Sequence, residues 1–221
     1  MESIELPIGL TAVGGLKGEG KTSFCLKLAN HLAQREKVLF ISYQDYKEKF
    51  EKHLVSIERI INPGLEIRTD FEYFGLGTYV KLMWLLQDKP FSTVFIDNSD
   101  FLNKYDPWDR AYGDVDEFIE ALELMHHFSN VKIVFTLNIG QKADYSRKYP
   151  MLRDFNSSRH VINKCHQVLA IYRPYFHGYI EDEQGFPLNN RLDIYNLKNQ
   201  SNKIIINTLD WSNFEYKQFS I

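Results

Sequence analysis

The chain has 221 residues, of which 44% are hydrophobic and 25% are charged, a composition typical of one globular domain and unlike that of disordered or collagen-like chains. Its net charge of −3 at pH 7 excludes a polybasic protein that coats nucleic acid or anionic membrane by charge alone. Two cysteines exclude a disulfide framework. The longest apolar stretch, residues 79–86, contains Lys81 and is far shorter than the roughly 20 residues that cross a bilayer. Since the amino terminus has no signal-peptide pattern, we expect one cytoplasmic domain over residues 1–221.

Short β-branched runs alternate with amphipathic segments, which predicts an α/β fold with a mainly parallel twisted sheet flanked by helices. The predicted strands are Ile8–Val13, Lys37–Ser42, Leu65–Thr69, Thr93–Asp97, Lys132–Leu137, Gln167–Tyr172, Leu192–Leu197 and Lys203–Thr208. The predicted helices are Lys21–Gln34, Lys47–Ile61, Gly77–Leu86 and Val115–Phe128. The third helix is almost wholly apolar, so we expect it to be buried. The polar segment KNQSN at 198–202 predicts an antiparallel hairpin between the last two strands.

The clearest motif lies between the first strand and the first helix. Residues 15–22, GLKGEGKT, match the phosphate-binding pattern G-x-x-x-x-G-K-[ST]. Its glycines let backbone N–H groups curl around phosphate oxygens, and the helix N-terminus favours an anion. Lys21 is predicted to neutralise the β- and γ-phosphates of ATP, and the Thr22 hydroxyl to ligate Mg²⁺. The predicted nucleotide-binding residues are Gly15, Lys17, Gly18, Glu19, Gly20, Lys21, Thr22 and Ser23.

A second motif is the strand Thr93–Asp97, TVFID. A β-branched and apolar run of four residues that ends in an acid predicts a buried strand that delivers a carboxylate to the carboxyl edge of the sheet, where parallel sheets bind ligands. An aspartate in this position often only caps a turn. Beside a phosphate loop, Asp97 is predicted to hold Mg²⁺ through water.

Charge is distributed unevenly along the chain. Residues 97–123 carry nine acids and two bases, a net charge of −7, whereas residues 131–180 carry eight bases and two acids, a net charge of +6. Aromatic residues interleave with the bases of the second stretch, a pattern that suits single-stranded nucleic acid. The alternative is that the bases face solvent while the aromatics fill the core. The nucleic-acid candidates are Lys142, Arg147, Lys148, Arg153 and Arg159.

Four further stretches resemble one family in order and spacing. PMLRDFNSS at 150–158, followed by QVLAIYR at 167–173, is similar to "PMLSDLRESG…ADVVLFLYR" of the DnaB-type replicative helicases. VLFISYQD at 38–45 resembles "VLIFSLEM", VKIVFTLN at 131–138 resembles "VPVIALSQ", and IYNLKNQ at 194–200 resembles "IIIAKQR". The resemblance, to the RecA-like ATPase domain of that family, runs from about Leu10 to Glu215.

The resemblance implies a homo-oligomeric ring, usually a hexamer, with ATP between subunits and DNA in the central channel. It implies that Lys21, Thr22 and Asp97 contact nucleotide and metal, that Asn138 stands among the catalytic positions, and that Lys198 is a finger reaching the neighbour's γ-phosphate. It directs loops within residues 138–158 and 156–164 towards the channel.

Two departures from the family pattern concern hydrolysis. Gln44 stands where the family has a catalytic glutamate, and an amide is a poor general base because it does not accept a proton. Gln200 stands where the family has a finger arginine, a group worth about 10³–10⁵ in rate in phosphate-loop enzymes. We also expect no DnaB-type amino-terminal domain, since the phosphate loop begins fourteen residues into the sequence.

Three functions remain open at this point. The first is an ATPase that self-associates and moves or remodels DNA. The second is an ATP-dependent switch or accessory protein whose hydrolysis is attenuated by Gln44 and Gln200. The third is a small-molecule kinase that shares only the phosphate loop and uses residues 147–159 as a lid.

Overall fold

A computed structural model of the protein describes residues 4–42, 47–58, 60–69, 76–88, 90–97, 115–139, 149–199, 205–210 and 216–220. The helices in these ranges are α1 (Lys21–Leu32), α2 (Lys47–Glu58), α3 (Leu76–Asp88), α4 (Val115–Ser129) and α5 (Arg159–Lys164). The strands are β1 (Gly9–Gly15), β2 (Val38–Ser42), β3 (Leu65–Arg68), β4 (Thr93–Asp97), β5 (Lys132–Asn138), β6 (Gln167–Tyr172), β7 (Arg191–Lys198), β8 (Ile205–Asp210) and β9 (Tyr216–Ser220). Two 3₁₀ helices cover Leu152–Ser158 and Pro174–His177.

Within the described ranges the strands form one sheet, in the order β3-β2-β4-β5-β1-β6-β7-β8-β9. The strands from β3 to β6 are parallel, and β7, β8 and β9 continue the sheet as antiparallel strands. The predicted α/β architecture with a C-terminal hairpin is confirmed, and all eight predicted strands are present. The hairpin is extended by β9, which the sequence did not predict.

Helices cover both faces of the sheet because buried side chains alternate along its strands. On one face Val13, Phe40 and Phe95 pack with the buried side of α1 and α2. On the other face Leu10 and Ala12 pack with α4 and α5 residues such as Leu122 and Val161. The result is a three-layer arrangement whose central strands are almost entirely inaccessible to solvent.

Helix α3 is less buried than its apolar sequence suggested. Leu82 and Leu86 face the core, but Trp84 is 70% exposed. A helix that packs on one side of a sheet buries only one stripe of its surface, so uniform apolarity did not mean uniform burial. The expectation of a wholly buried helix was therefore wrong for Trp84.

The segment 150–164 folds into helical turns that periodicity did not predict, because they are too short for a repeating pattern. The 3₁₀ helix Leu152–Ser158 runs directly into α5. Its Phe155 is fully buried, and its ring occupies the space that a Cβ on Gly14 would need. This contact fixes the segment against the strand that leads into the phosphate loop.

In the part of the chain that the structure describes, no helix has both the length and the apolarity needed to traverse a bilayer.

Candidate nucleotide site

The phosphate loop joins β1 to α1 at the carboxyl edge of the parallel strands. Gly18 and Gly20 have φ values of 91° and 95°, a left-handed conformation that glycine adopts without steric cost. Gly20 is the residue before α1 and has no side chain to cap the helix. The first N–H groups of an α-helix lack intrahelical partners, and helix N-termini of this kind are suited to bind anions.

Lys21 folds back over the loop that precedes it. Its Nζ donates to the carbonyl oxygens of Gly15 and Leu16, at 2.9 Å each. The ammonium group therefore lies at the mouth of the loop, where a phosphate would replace the carbonyl oxygens as its partner.

The register of the parallel strands places three predicted site residues at the carboxyl edge of the sheet: Gly15, Asp97 and Asn138. Asn138 pairs with Gly15 across β5 and β1, and Asp97 pairs with Ser42 across β4 and β2. Asp97 is 1% exposed. Its Oδ1 accepts hydrogen bonds from the Thr22 hydroxyl at 3.1 Å and from the Thr136 hydroxyl at 3.3 Å.

Thr22 and Asp97 together make a donor set that fits Mg²⁺. A hydroxyl and a carboxylate are hard oxygen ligands, and Mg²⁺ in nucleotide sites uses one or two such groups while keeping several waters. No group of three or more His, Cys, Asp or Glu side chains able to hold a metal occurs among the described residues.

Two histidines that the sequence reading did not single out contact the phosphate loop and its helix. His177 Nε2 lies 2.7 Å from Glu19 Oε1, and His53 Nε2 lies 2.8 Å from the Ser23 hydroxyl. Both pairs join residues far apart in sequence. No motif spacing could have found them.

Beside the loop, the segment after β6 carries a cationic and aromatic surface. The Arg173 guanidinium lies 4.2 Å from the centroid of the Phe176 ring. Burial lowers the pKa of Arg173, and the Glu19 carboxylate partly offsets this effect. Tyr175 and Phe176 are exposed.

Cys25 lies in the first turns of α1, beneath the loop. It is 1% exposed, and its pKa is raised by burial and by the nearby Asp97 charge, with Lys21 acting in the opposite direction. A thiol in this environment stays protonated and packs as a small apolar group.

Lys198 is not part of the same chain's phosphate site. It ends β7, opposite Val168 of β6, and its Nζ donates to the carbonyl oxygens of Ile162 and Asn163 at 3.0 and 2.8 Å. A finger at this position would have to act on a neighbouring subunit, and that role stays a prediction.

The nucleic-acid candidates are only partly described. Arg153 is exposed on the 3₁₀ helix after Pro150, and Arg159 begins α5. Lys142, Arg147 and Lys148 lie outside the described residues, as do the catalytic candidates Gln44 and Gln200. Lys17, from the nucleotide set, is exposed on the phosphate loop.

Some aromatic residues of the basic stretch, residues 131–180, are exposed, as nucleic-acid binding would require, and others fill the core. Tyr149, Tyr175 and Phe176 are exposed, whereas Phe155 and Tyr172 are buried. Some of its bases are also engaged within the chain, since Lys164 pairs with Glu123 at 2.8 Å. The aromatic and basic side chains of this stretch therefore contribute both to the core and to the surface of the protein.

No protein-family model matches the chain, and no curated protein matches its sequence. Solved structures do match. The chain superposes on a structure described as a DnaB-like replicative helicase and its interactions with primase, with a TM-score of 0.74 at 15% identity, over 93% of this chain and 57% of that one. It superposes on a second solved structure, described as an ATPase domain, with a TM-score of 0.73 at 15% identity, over 98% of this chain and 86% of that one.

The chain thus spans 57% of the length of the DnaB-like helicase it matches. It has the fold of a DnaB-type helicase ATPase domain, and the resemblance read from the sequence is confirmed at the level of the fold.

Proposed function

We propose that this protein is a Mg²⁺-dependent, ATP-binding phosphate-loop NTPase that hydrolyses ATP and acts on DNA in the manner of a helicase or translocase. One observation carries the proposal. A complete phosphate loop sits at the carboxyl edge of the sheet with its Thr22 hydroxyl 3.1 Å from the buried Asp97 carboxylate, on the fold of a helicase ATPase domain.

In the proposed reaction each residue has a distinct task. The α1 amides and Lys21 bind the phosphates, with Lys21 exchanging its two carbonyl partners for phosphate oxygens. Thr22 and Asp97 hold Mg²⁺, which neutralises charge between the β- and γ-phosphates. Asn138 contacts the γ-phosphate or the attacking water in this proposal, which its pairing with Gly15 at the start of the phosphate loop supports.

The proposed partners are single-stranded DNA and further copies of this chain. The +6 charge of residues 131–180 and the exposed Arg153 and Tyr149 support DNA binding by phosphate contacts and base stacking. The remoteness of Lys198 from its own phosphate loop supports an oligomer in which a neighbour completes each site.

The test is steady-state ATPase activity with and without single-stranded DNA. We expect Mg²⁺-dependent turnover in the wild type and its loss in Lys21→Ala, because the variant cannot neutralise the phosphates. The matched control is Lys37→Ala, an exposed lysine at the amino end of β2, which should retain wild-type turnover. Equal activity in wild type and Lys21→Ala would contradict the proposal and indicate a contaminant.

A second function is favoured by Gln44 in place of a catalytic acid. In that case the protein binds MgATP and hydrolyses it slowly, as an ATP-dependent switch. Gln44→Glu should then raise the hydrolysis rate strongly, since a carboxylate accepts the proton of the attacking water. Unchanged turnover in Gln44→Glu, measured at saturating MgATP, would contradict attenuation at this position.

A further inference from the structure

The phosphate loop contains a buried negative charge. Glu19 is 2% exposed although it lies in the segment that would surround an anionic ligand. One carboxylate oxygen accepts the Leu16 N–H at 2.6 Å. The other receives the Nε2–H of His177, at 2.7 Å. A Cβ on Gly15 would lie 3.1 Å from the first oxygen, so the side chain is packed tightly under the loop.

An acid in this place has two costs. A buried carboxylate is unfavourable unless it is paired and hydrogen-bonded. Its charge also repels the phosphates of a bound nucleotide, and such repulsion is strong where water is excluded. A partner that offsets the Glu19 charge would therefore favour the binding of a triphosphate by the loop.

His177 is held in position to supply that offset. It ends the 3₁₀ helix Pro174–His177, which follows β6 directly, and Gly178 at φ 83° turns the chain away. Its side chain is 9% exposed. The imidazole stacks on the buried Tyr172 ring with a centroid distance of 4.7 Å and an interplanar angle of 14°. The ring is therefore oriented by packing before any ligand arrives.

We propose that His177 is a positioning residue for nucleotide binding, which acts through Glu19. Its N–H donates to the Glu19 carboxylate, which offsets part of the carboxylate's charge and holds the other oxygen on the Leu16 N–H, so that the side chain stays packed under the loop. His177 itself need not touch the nucleotide. The inference rests on the proposed function, because it concerns the same nucleotide site.

The pair is tested by a double-mutant cycle on MgATP affinity, measured by titration calorimetry. In His177→Ala the Glu19 carboxylate loses the His177 N–H, so less of its charge is offset, and we expect MgATP affinity to fall by about tenfold or more. Glu19→Gln removes that charge. In the double variant we therefore expect affinity within about threefold of Glu19→Gln alone. The loss in His177→Ala should be greater for ATP than for AMP, since the triphosphate carries more charge.

The matched control is His127→Ala, an exposed histidine on α4, which should bind MgATP like the wild type. Thermal unfolding by circular dichroism reports whether each variant is folded. If His177→Ala does not fold, His177→Gln takes its place. It retains an N–H donor and should show a smaller loss that Glu19→Gln also relieves.

Two results would contradict the inference about His177 without contradicting the proposed function. One is wild-type affinity in His177→Ala, and the other is a double variant as weak as His177→Ala, since a merely structural role would not be rescued by removing a charge. If the wild type binds MgATP no better than Lys21→Ala, the proposed function fails, and this inference with it.

Discussion

His166, at the amino end of β6, accepts the Leu10 N–H on its Nδ1 at 3.2 Å. Only the imidazole with an unprotonated Nδ1 can accept that bond. Burial lowers the pKa of His166, as do the neighbouring His126, Lys198 and His127, while Glu123 acts in the opposite direction. The folded state therefore favours the neutral ring more than the unfolded state does.

The lowered pKa of His166 predicts that the folded state becomes less stable as the pH falls. Between the folded and unfolded pKa values the unfolded chain binds more protons, so stability rises with pH. We expect the melting temperature to decline as the pH falls below about 6.5, the unperturbed histidine value. The decline should be smaller in His166→Asn, whose Oδ1 can accept the Leu10 N–H without titrating.

The comparison is made by thermal unfolding at pH 7.5 and 5.5. His160→Asn, at an exposed position on α5, serves as the control and should keep the wild-type pH dependence. A decline as large in His166→Asn as in the wild type would exclude His166 as its source.

Among the elements, the 3₁₀ helix Leu152–Ser158 carries a buried aromatic side chain that anchors it. Phe155 is 1% exposed and lies against Gly14, immediately before the phosphate loop. Phe155→Ala removes a buried ring and leaves a cavity, which should lower the free energy of unfolding by about 3–5 kcal/mol.

Urea denaturation followed by circular dichroism measures this loss. Leu152→Ala on the same helix is a suitable control because Leu152 is exposed, and its effect should stay within about 0.5 kcal/mol. Equal losses in the two variants would mean that Phe155 does not anchor the segment.

In the whole molecule, Lys198 at the end of β7 lies away from the phosphate loop that precedes α1. Lys198 pairs with Val168, which is in register with Ala12, three residues before Gly15. At about 3.3 Å per residue, Lys198 is about 10 Å nearer the amino edge than the start of the phosphate loop, and it is also two strands away. If it is a finger, it completes a neighbour's site.

Mixing Lys21→Ala with Lys198→Ala, each of which we expect to be inactive alone, tests this arrangement. Lys21→Ala retains its finger and Lys198→Ala retains its phosphate loop, so a mixed head-to-tail oligomer contains some complete interfaces, roughly a quarter of them at equal mixing. We expect ATPase activity to reappear on mixing. Continued inactivity, with both variants folded and co-assembled, would contradict a role for Lys198 in a neighbour's site.

Local patterns were sufficient for most of the fold. Short, continuous apolar runs such as those of β2 and β4 are typical of buried parallel strands, and the bounds of both strands were predicted within one residue. Strand β9 was missed because its sequence, YKQFS, has a weak apolar pattern, and it is defined by pairing with β8. The exposure of Trp84 was missed because burial depends on which face of α3 meets the sheet.

For the candidate site, short motifs were enough to predict the phosphate loop, Lys21, Thr22 and the strand-ending Asp97, because the chemistry of each follows from adjacent residues. Which of these side chains contact one another is decided by the tertiary structure, because the contacting residues are far apart in sequence. The contact between Thr22 and Asp97 joins residues 75 positions apart, and that between Glu19 and His177 joins residues 158 apart. The sheet brings such residues together, since parallel strands align their carboxyl ends at one edge whatever their separation along the chain.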